Sequence, residues 1–308
     1  MRLSRRIGRA ARLAIGLAIL SLVISRLSAE ALVDRLAGLA WSLVLAATGI
    51  ELAIRVLSSL KWHFLLRFRD PGSLFKDALA AHFVGVAVGS LLPSGGVDLA
   101  VGYAYYRQSG RAATAAASVA VDRLLSIVAL LVFATLMTLL HLETLAVYRE
   151  IGMVAAGAIL LPLAVAAVFR WIPARWASRL QPVLDEFRNY KTRGMQVVGK
   201  NFAISMVIQI LRVGFVFVLL YAVGESLPLA LCAIIAPILF LFIMVPMGWL
   251  GWEQGVFVVI LGLAGVQAEA AFAAAVVNRL VVALTSIPGV VFVVTGWGMK
   301  ARAGGQAS

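Results

Sequence analysis

The sequence holds one cysteine, three histidines and few charges for its length. With Cys232 alone, no intrachain disulfide and no cysteine-based zinc site can form. His63, His82 and His141 are scattered and make no metal-ligand spacing. There is no P-loop and no G-x-G-x-x-G opening a helix, so nucleotide-driven chemistry has no motif to stand on. The segment SLLPSGG is a helix breaker, not a nucleophile elbow. Charged residues make up 13% of the 308, against roughly 25% in a soluble domain, too few to coat the outside of a soluble protein. These absences predict no enzyme, no cofactor, no metal and no soluble catalytic domain. The one enzymatic alternative is intramembrane chemistry with Asp98 or Glu253 as a general base.

What the chain has instead is apolar length. Apolar residues form 62% of it, in runs of about 20 that match a hydrocarbon core roughly 30 Å thick. This is the pattern of an all-α polytopic membrane protein. Spans are expected near 10–28, 39–60, 112–140, 151–172, 201–223 and 268–297, about six in all. Two further apolar regions, 74–106 and 228–265, are broken midway, as LLPSGGVDLAVG around Pro93 and VPMGWLGWEQG around Pro246. Proline removes a helical hydrogen bond and glycine loosens the backbone. Irregular backbone survives inside a bilayer only where protein or a water-filled cavity covers it. Both regions therefore read as re-entrant helical hairpins. Trp41, Trp62, Trp171 and Trp297 fall near expected span ends and read as interfacial anchors.

The formal charge of +13 would suggest nucleic acid on a soluble protein. Here its distribution follows the positive-inside rule, and no nucleic-acid partner is expected. Basic residues gather before residue 13, from Lys61 to Lys76, at Arg107 and Arg111, through 170–200 and at Lys300 and Arg302. The opposite links hold only Arg26, Arg35 and Arg149. That asymmetry puts both termini in the cytoplasm of a bacterial-type inner membrane. It also requires 74–106 to return to the side it left, because a single crossing would expose the basic 170–200 link. The N-terminus, with Ala29-Glu30-Ala31, reads either as a short first span or as a cleaved signal peptide. The link 173–200 reads either as an amphipathic helix on the cytoplasmic membrane surface or as a solvated linker.

The two broken regions lead into similar helices. AAASVAVDRL (115–124) recurs as AFAAAVVNRL (271–280). Before each stand a proline, glycines and an acid: Pro93, Gly95, Gly96 and Asp98, then Pro246, Gly248, Gly251 and Glu253. The chain thus reads as one membrane domain over 1–308, with repeats at about 74–140 and 228–297 in inverted orientation, the site lying between them. Arg123 and Arg279 fall about 11 residues into their spans, roughly 15 Å deep. An arginine there costs at least about 2.5 kcal/mol, so each needs a partner inside the bundle. Asp98 and Glu253 are the candidate partners, and Asp122 and Asn278 complete the candidate substrate-binding set. Glu51 and Arg55 can pair along one helix face, and Arg212 needs an acid elsewhere; these read as helix pins. Arginines at Arg123 and Arg279 could hold a phosphate bidentately. Tyr103, Tyr105 and Tyr106 could face a headgroup or pack.

At these tips the chain resembles the membrane domain of lysylphosphatidylglycerol synthases, the flippase-like domain of the multiple peptide resistance factor. The first motif reads Pro93-Ser94-Gly95-Gly96-Val97-Asp98 with Tyr103 as its aromatic, and Gly102 stands where that family has arginine. The second reads Gly248-Trp249-Leu250-Gly251-Trp252-Glu253-Gln254-Gly255, with Glu253-Gln254 in place of Arg-Glu. The resemblance implies a lipid flippase whose substrate is a phospholipid, an isoprenoid lipid or a lipid-linked sugar. The aminoacyl transferase that follows in the synthases has no counterpart here, so a stand-alone relative is expected. Partners would be membrane lipids, anionic ones first, and a lipid-modifying enzyme. The other reading is a non-transporting subunit that scaffolds such an enzyme through 170–200.

Overall fold

The computed structural model describes residues 27–89, 96–169, 194–244 and 251–296, with Tyr190 and isolated positions from 18 to 25. Side chains of Ala113, Ala158 and 161–169 are excepted. The tips Pro93, Gly95, Pro246 and Gly248, much of the first expected span and most of the 173–200 link lie outside the described residues. Among the described residues all regular structure is helical: α1 (Ala29–Ala37), α2 (Trp41–Arg69), α3 (Phe75–Gly89), α4 (Gly96–Ser109), α5 (Ala112–Leu140), α6 (Leu142–Val147), α7 (Arg149–Phe169), α8 (Met195–Ala222), α9 (Leu229–Ile243), α10 (Trp252–Leu263) and α11 (Ala268–Thr295).

Four helices, α2, α5, α8 and α11, are long and apolar enough to cross a membrane. At 28 or 29 residues they reach about 42 Å, more than a hydrocarbon core. No more than 44% of the most apolar window of any of them is buried. Apolar surface turned outward to that extent suits lipid, not water. The molecule is a multi-pass membrane protein.

The other pairs are short. α3 and α4 have 15 and 14 residues, α9 and α10 have 15 and 12, so no member reaches past about 23 Å. α3 and α4 run antiparallel at backbone contact. A Cβ on Gly85 would collide with the Val101 backbone, and one on Gly89 with that of Val97. The other face of α3 receives α11, where a Cβ on Gly289 would strike the Phe83 carbonyl. Small residues that let backbones meet are the usual device of helix packing in lipid.

Two polar ties fix where these pairs begin and end. Asp70, before α3, is bridged to Arg111, after α4, at 3.0 Å, so the α3–α4 pair leaves and returns at one end of the bundle. At the opposite end Arg35 donates to the Val223 carbonyl (3.2 Å) and to Gln267 Oε1 (2.9 Å). Arg35 also pairs with Glu225 at 3.0 Å. The α9–α10 pair therefore leaves and returns at that other end.

Two expectations need correction. The span placed at 39–60 continues to Arg69, so Lys61 and Trp62 are inside the bundle and not at its edge. Trp62 is 2% exposed, packs against Tyr105 and donates to Ser118 Oγ at 3.1 Å; it is a core residue, not an interfacial anchor. The link also ends sooner, since α8 begins at Met195.

Candidate membrane-embedded polar site

The site begins with a stripe on α2. Glu51, Arg55, Ser58 and Lys61 recur every three or four residues, which on an α-helix aligns them on one face. Two other stripes meet it: Asp122, Arg123 and Ser126 on α5, and Ser205, Gln209 and Arg212 on α8. His82 of α3 and Asp98 of α4 complete the wall. Together they enclose a polar cavity of about 180 Å³.

Most of its charges are already paired. Lys61, 4% exposed, donates to both oxygens of Asp122 at 2.8 and 2.9 Å and to Ser126 Oγ at 2.6 Å. Its three ammonium protons are thus all used. Asn201 Nδ2 donates to Asp122 Oδ1 at 2.8 Å and to the Lys61 carbonyl at 3.2 Å, adding α8 to the knot. Arg55 pairs with Glu51 at 3.1 Å and donates from Nε to Thr285 Oγ1 at 2.9 Å, tying α2 to α11. Arg123 donates from Nε to Asp98 Oδ2 at 2.7 Å and pairs with the same oxygen through Nη2.

The acid of each hairpin has a local reason for its place. Asp98 and Glu253 lie in the first turn of α4 and α10, the helices that follow the breakers. A helix N-terminus favours a negative side chain there. Gly251 caps α10 with φ +86°, a left-handed backbone that glycine adopts without strain, and donates to Gln254 Oε1 at 3.0 Å. Gly96 is the buried first residue of α4.

Of the residues singled out in the sequence, the structure unites Arg123 with Asp98 and, separately, Arg279 with Glu253. Asn278 Nδ2 donates to Glu253 Oε1 at 2.5 Å. Asp122 joins neither pair but serves Lys61. Arg279, Glu253 and Asn278 are absent from the lining of the polar cavity. Sequence reasoning missed Lys61, Ser205 and Gln209. The three-to-four-residue spacing of polar groups on α2 and α8 was the signal that finds them.

An apolar groove of about 420 Å³ opens beside the cavity, between α4 and α5. Leu99, Gly102, Tyr103 and Tyr106 line one side, Ala112, Ala116, Val119 and Ala120 the other. Tyr103 and Tyr106 are exposed, whereas Tyr105 is buried and donates to Asp70 Oδ2 at 3.0 Å. Asp98 and Arg123 line both groove and cavity. Among the described residues no group of three His, Cys, Asp or Glu is placed to hold a metal. No curated protein and no solved structure matches the chain. Residues 9–289 do match a family of membrane domains, and with the polar motifs and helices above in place the chain belongs to the lysylphosphatidylglycerol synthase TM region family.

Proposed function

We propose that the protein moves a polar or anionic lipid between the leaflets of a bacterial-type cytoplasmic membrane. One observation carries this: the Asp98–Arg123 pair borders a polar cavity on one side and an apolar groove on the other. A lipid is divided the same way, and a headgroup in the cavity leaves its chains in the groove. Both members of the pair are more than a third exposed, so they can exchange one another for a ligand at little cost.

The α3–α4 and α9–α10 pairs are re-entrant and form inverted repeats. Three facts support this: the pairs are too short to cross, each returns to the end it left, and those ends are opposite. With the basic links inside, both termini are cytoplasmic.

Translocation is tested with purified protein in liposomes carrying fluorescent phosphatidylglycerol, by reduction of outer-leaflet label with an impermeant reagent. Loss of the protected inner pool is expected only with protein present. Equal loss in protein-free liposomes sinks the translocase and favours the scaffold. Topology is tested in a Cys232→Ser background. Cysteine at Ala112 or Met195 should resist an impermeant thiol reagent in intact cells, and cysteine at Leu229 should react. Labelling at 112 from outside removes the inverted repeat.

A further inference from the structure

The cavity contains four permanent or ammonium cations, Arg55, Lys61, Arg123 and Arg212, but only three carboxylates, Glu51, Asp98 and Asp122. Three ion pairs consume all three acids: Arg55–Glu51, Lys61–Asp122 and Arg123–Asp98. Arg212 has no ion pair of its own. The acid that acts on it is Glu51, already bridged by Arg55. Among the described residues its guanidinium makes no ion pair but lies over the Phe240 ring, 4.5 Å from the centroid. The breaker segments 90–95 and 245–250 contain no charged residue that could balance it. By this count the cavity lining holds one arginine or lysine more than it has carboxylates.

The depth makes that excess costly. Arg212 is ten residues from the end of α8, about 15 Å along the axis and out of snorkelling reach. A ring face offsets only part of a guanidinium's lost hydration. Along the same helix face stand Gln209 and Ser205, at helical spacing. The Ser205 hydroxyl is buried without a hydrogen-bond partner among the described residues. Buried hydroxyls are nearly always partnered, by protein, water or ligand. One face of α8 thus offers a planar cationic fork and, about 10 Å along the axis, an unmet hydroxyl.

We infer that Arg212 is the anion-binding residue of the cavity and that its ligand is a singly charged phosphodiester-type oxyanion bearing a hydroxylic substituent, held with its polar end toward Gln209 and Ser205. A single negative charge neutralises the excess. A pyrophosphate overshoots it, and a zwitterionic headgroup leaves it unchanged. Guanidinium binds two oxygens of one phosphate in parallel, which an ammonium does not. The inference rests on the translocation reading only for the source of the anion, a lipid headgroup or a free phosphate.

Binding is read without transport, as the rise in thermal unfolding temperature of the purified protein in detergent. Phosphatidylglycerol should stabilise the wild type and phosphatidylcholine should not. Inorganic phosphate forms a third arm: stabilisation by phosphate alone makes the free anion the ligand, and stabilisation by the lipid alone makes it a headgroup. Arg212→Gln should raise the concentration for half-maximal stabilisation at least tenfold, and Arg212→Lys by less. Ser205→Val should weaken the lipid response several-fold and carries the test if Arg212→Gln does not fold. Equal stabilisation by phosphatidylcholine, or an unaltered response in the folded variants, overturns the inference. A normal response without lipid movement in liposomes would end the translocation reading and leave this site standing.

Discussion

The two hairpins carry the same signature and use it differently. In the first, Asp98 meets Arg123, and both side chains are open, at 38% and 39% exposure. In the second, Glu253 is 4% exposed and is held by Arg279 and by Asn278. The divergence turns on one position. Asp122 and Asn278 occupy matching places in the similar stretches 115–124 and 271–280. Asp122 turns from its hairpin to bind Lys61 of α2, whereas Asn278 turns onto its hairpin acid. A carboxylate beside Glu253 would repel it, while an amide donates to it. The first pair stands open, and the second is sealed. Repetition in sequence does not imply duplicate sites.

The sharpest way to break this comparison is steric. Gly89→Val would drive a side chain into the Val97 backbone and part the first hairpin, a loss of more than about 3 kcal/mol. Little monodisperse protein should survive size-exclusion chromatography. In the second hairpin Gly262 has open space around its Cβ position, and Gly262→Ala should stabilise by up to about 1 kcal/mol.

Next come the two acid–arginine pairs. Arg279→Gln strands the buried Glu253 charge and should cost about 3 kcal/mol in thermal or denaturant unfolding. Adding Glu253→Gln should recover most of that loss; no recovery would mean the pair is not a clamp. Arg123→Gln, at the open pair, should change stability by no more than about 1 kcal/mol. Yet it should slow lipid movement at least tenfold, with Arg123→Lys partly active. Full transport by folded Arg123→Gln would erase the distinction between the hairpins. Smallest is Tyr103→Ala in the groove wall, expected to change stability by no more than about 0.5 kcal/mol. It should slow a long-chain lipid by a few-fold more than a short-chain analogue.

Much of this was legible in the residues. Proline and glycine marked both hairpins, and the mid-helix arginines demanded partners that the acids of the breakers supply. The Asp70–Arg111 bridge holds together the residues on either side of the α3–α4 pair. Lys61 was misplaced because hydropathy treats a lysine near a span end as a boundary. It has no way to tell a side chain reaching outward from one turned into the bundle. Trp62 went with it for the same reason. The Lys61–Asp122–Asn201 knot joins three helices far apart in the chain, and no local pattern reports such a meeting. Arg212 was read as a pin awaiting an acid; only the pairs around it show that, among the described residues, each acid lining the cavity is already bridged to another cation.

The tie between Asp70 and Arg111 also bears on how the chain is made. At 15 and 14 residues, neither α3 nor α4 reaches across a hydrocarbon core by itself. The groups that close the hairpin's base lie on either side of it, so the bridge cannot form until residue 111 has been synthesised. The glycine contacts of Gly85 and Gly89 likewise await α4. On the re-entrant reading proposed above, the first hairpin is withheld from the membrane and enters as a finished unit against α2 and α5. Interruption of synthesis before α5 would leave a nascent chain anchored by α2 and still sensitive to protease through residues 75–109.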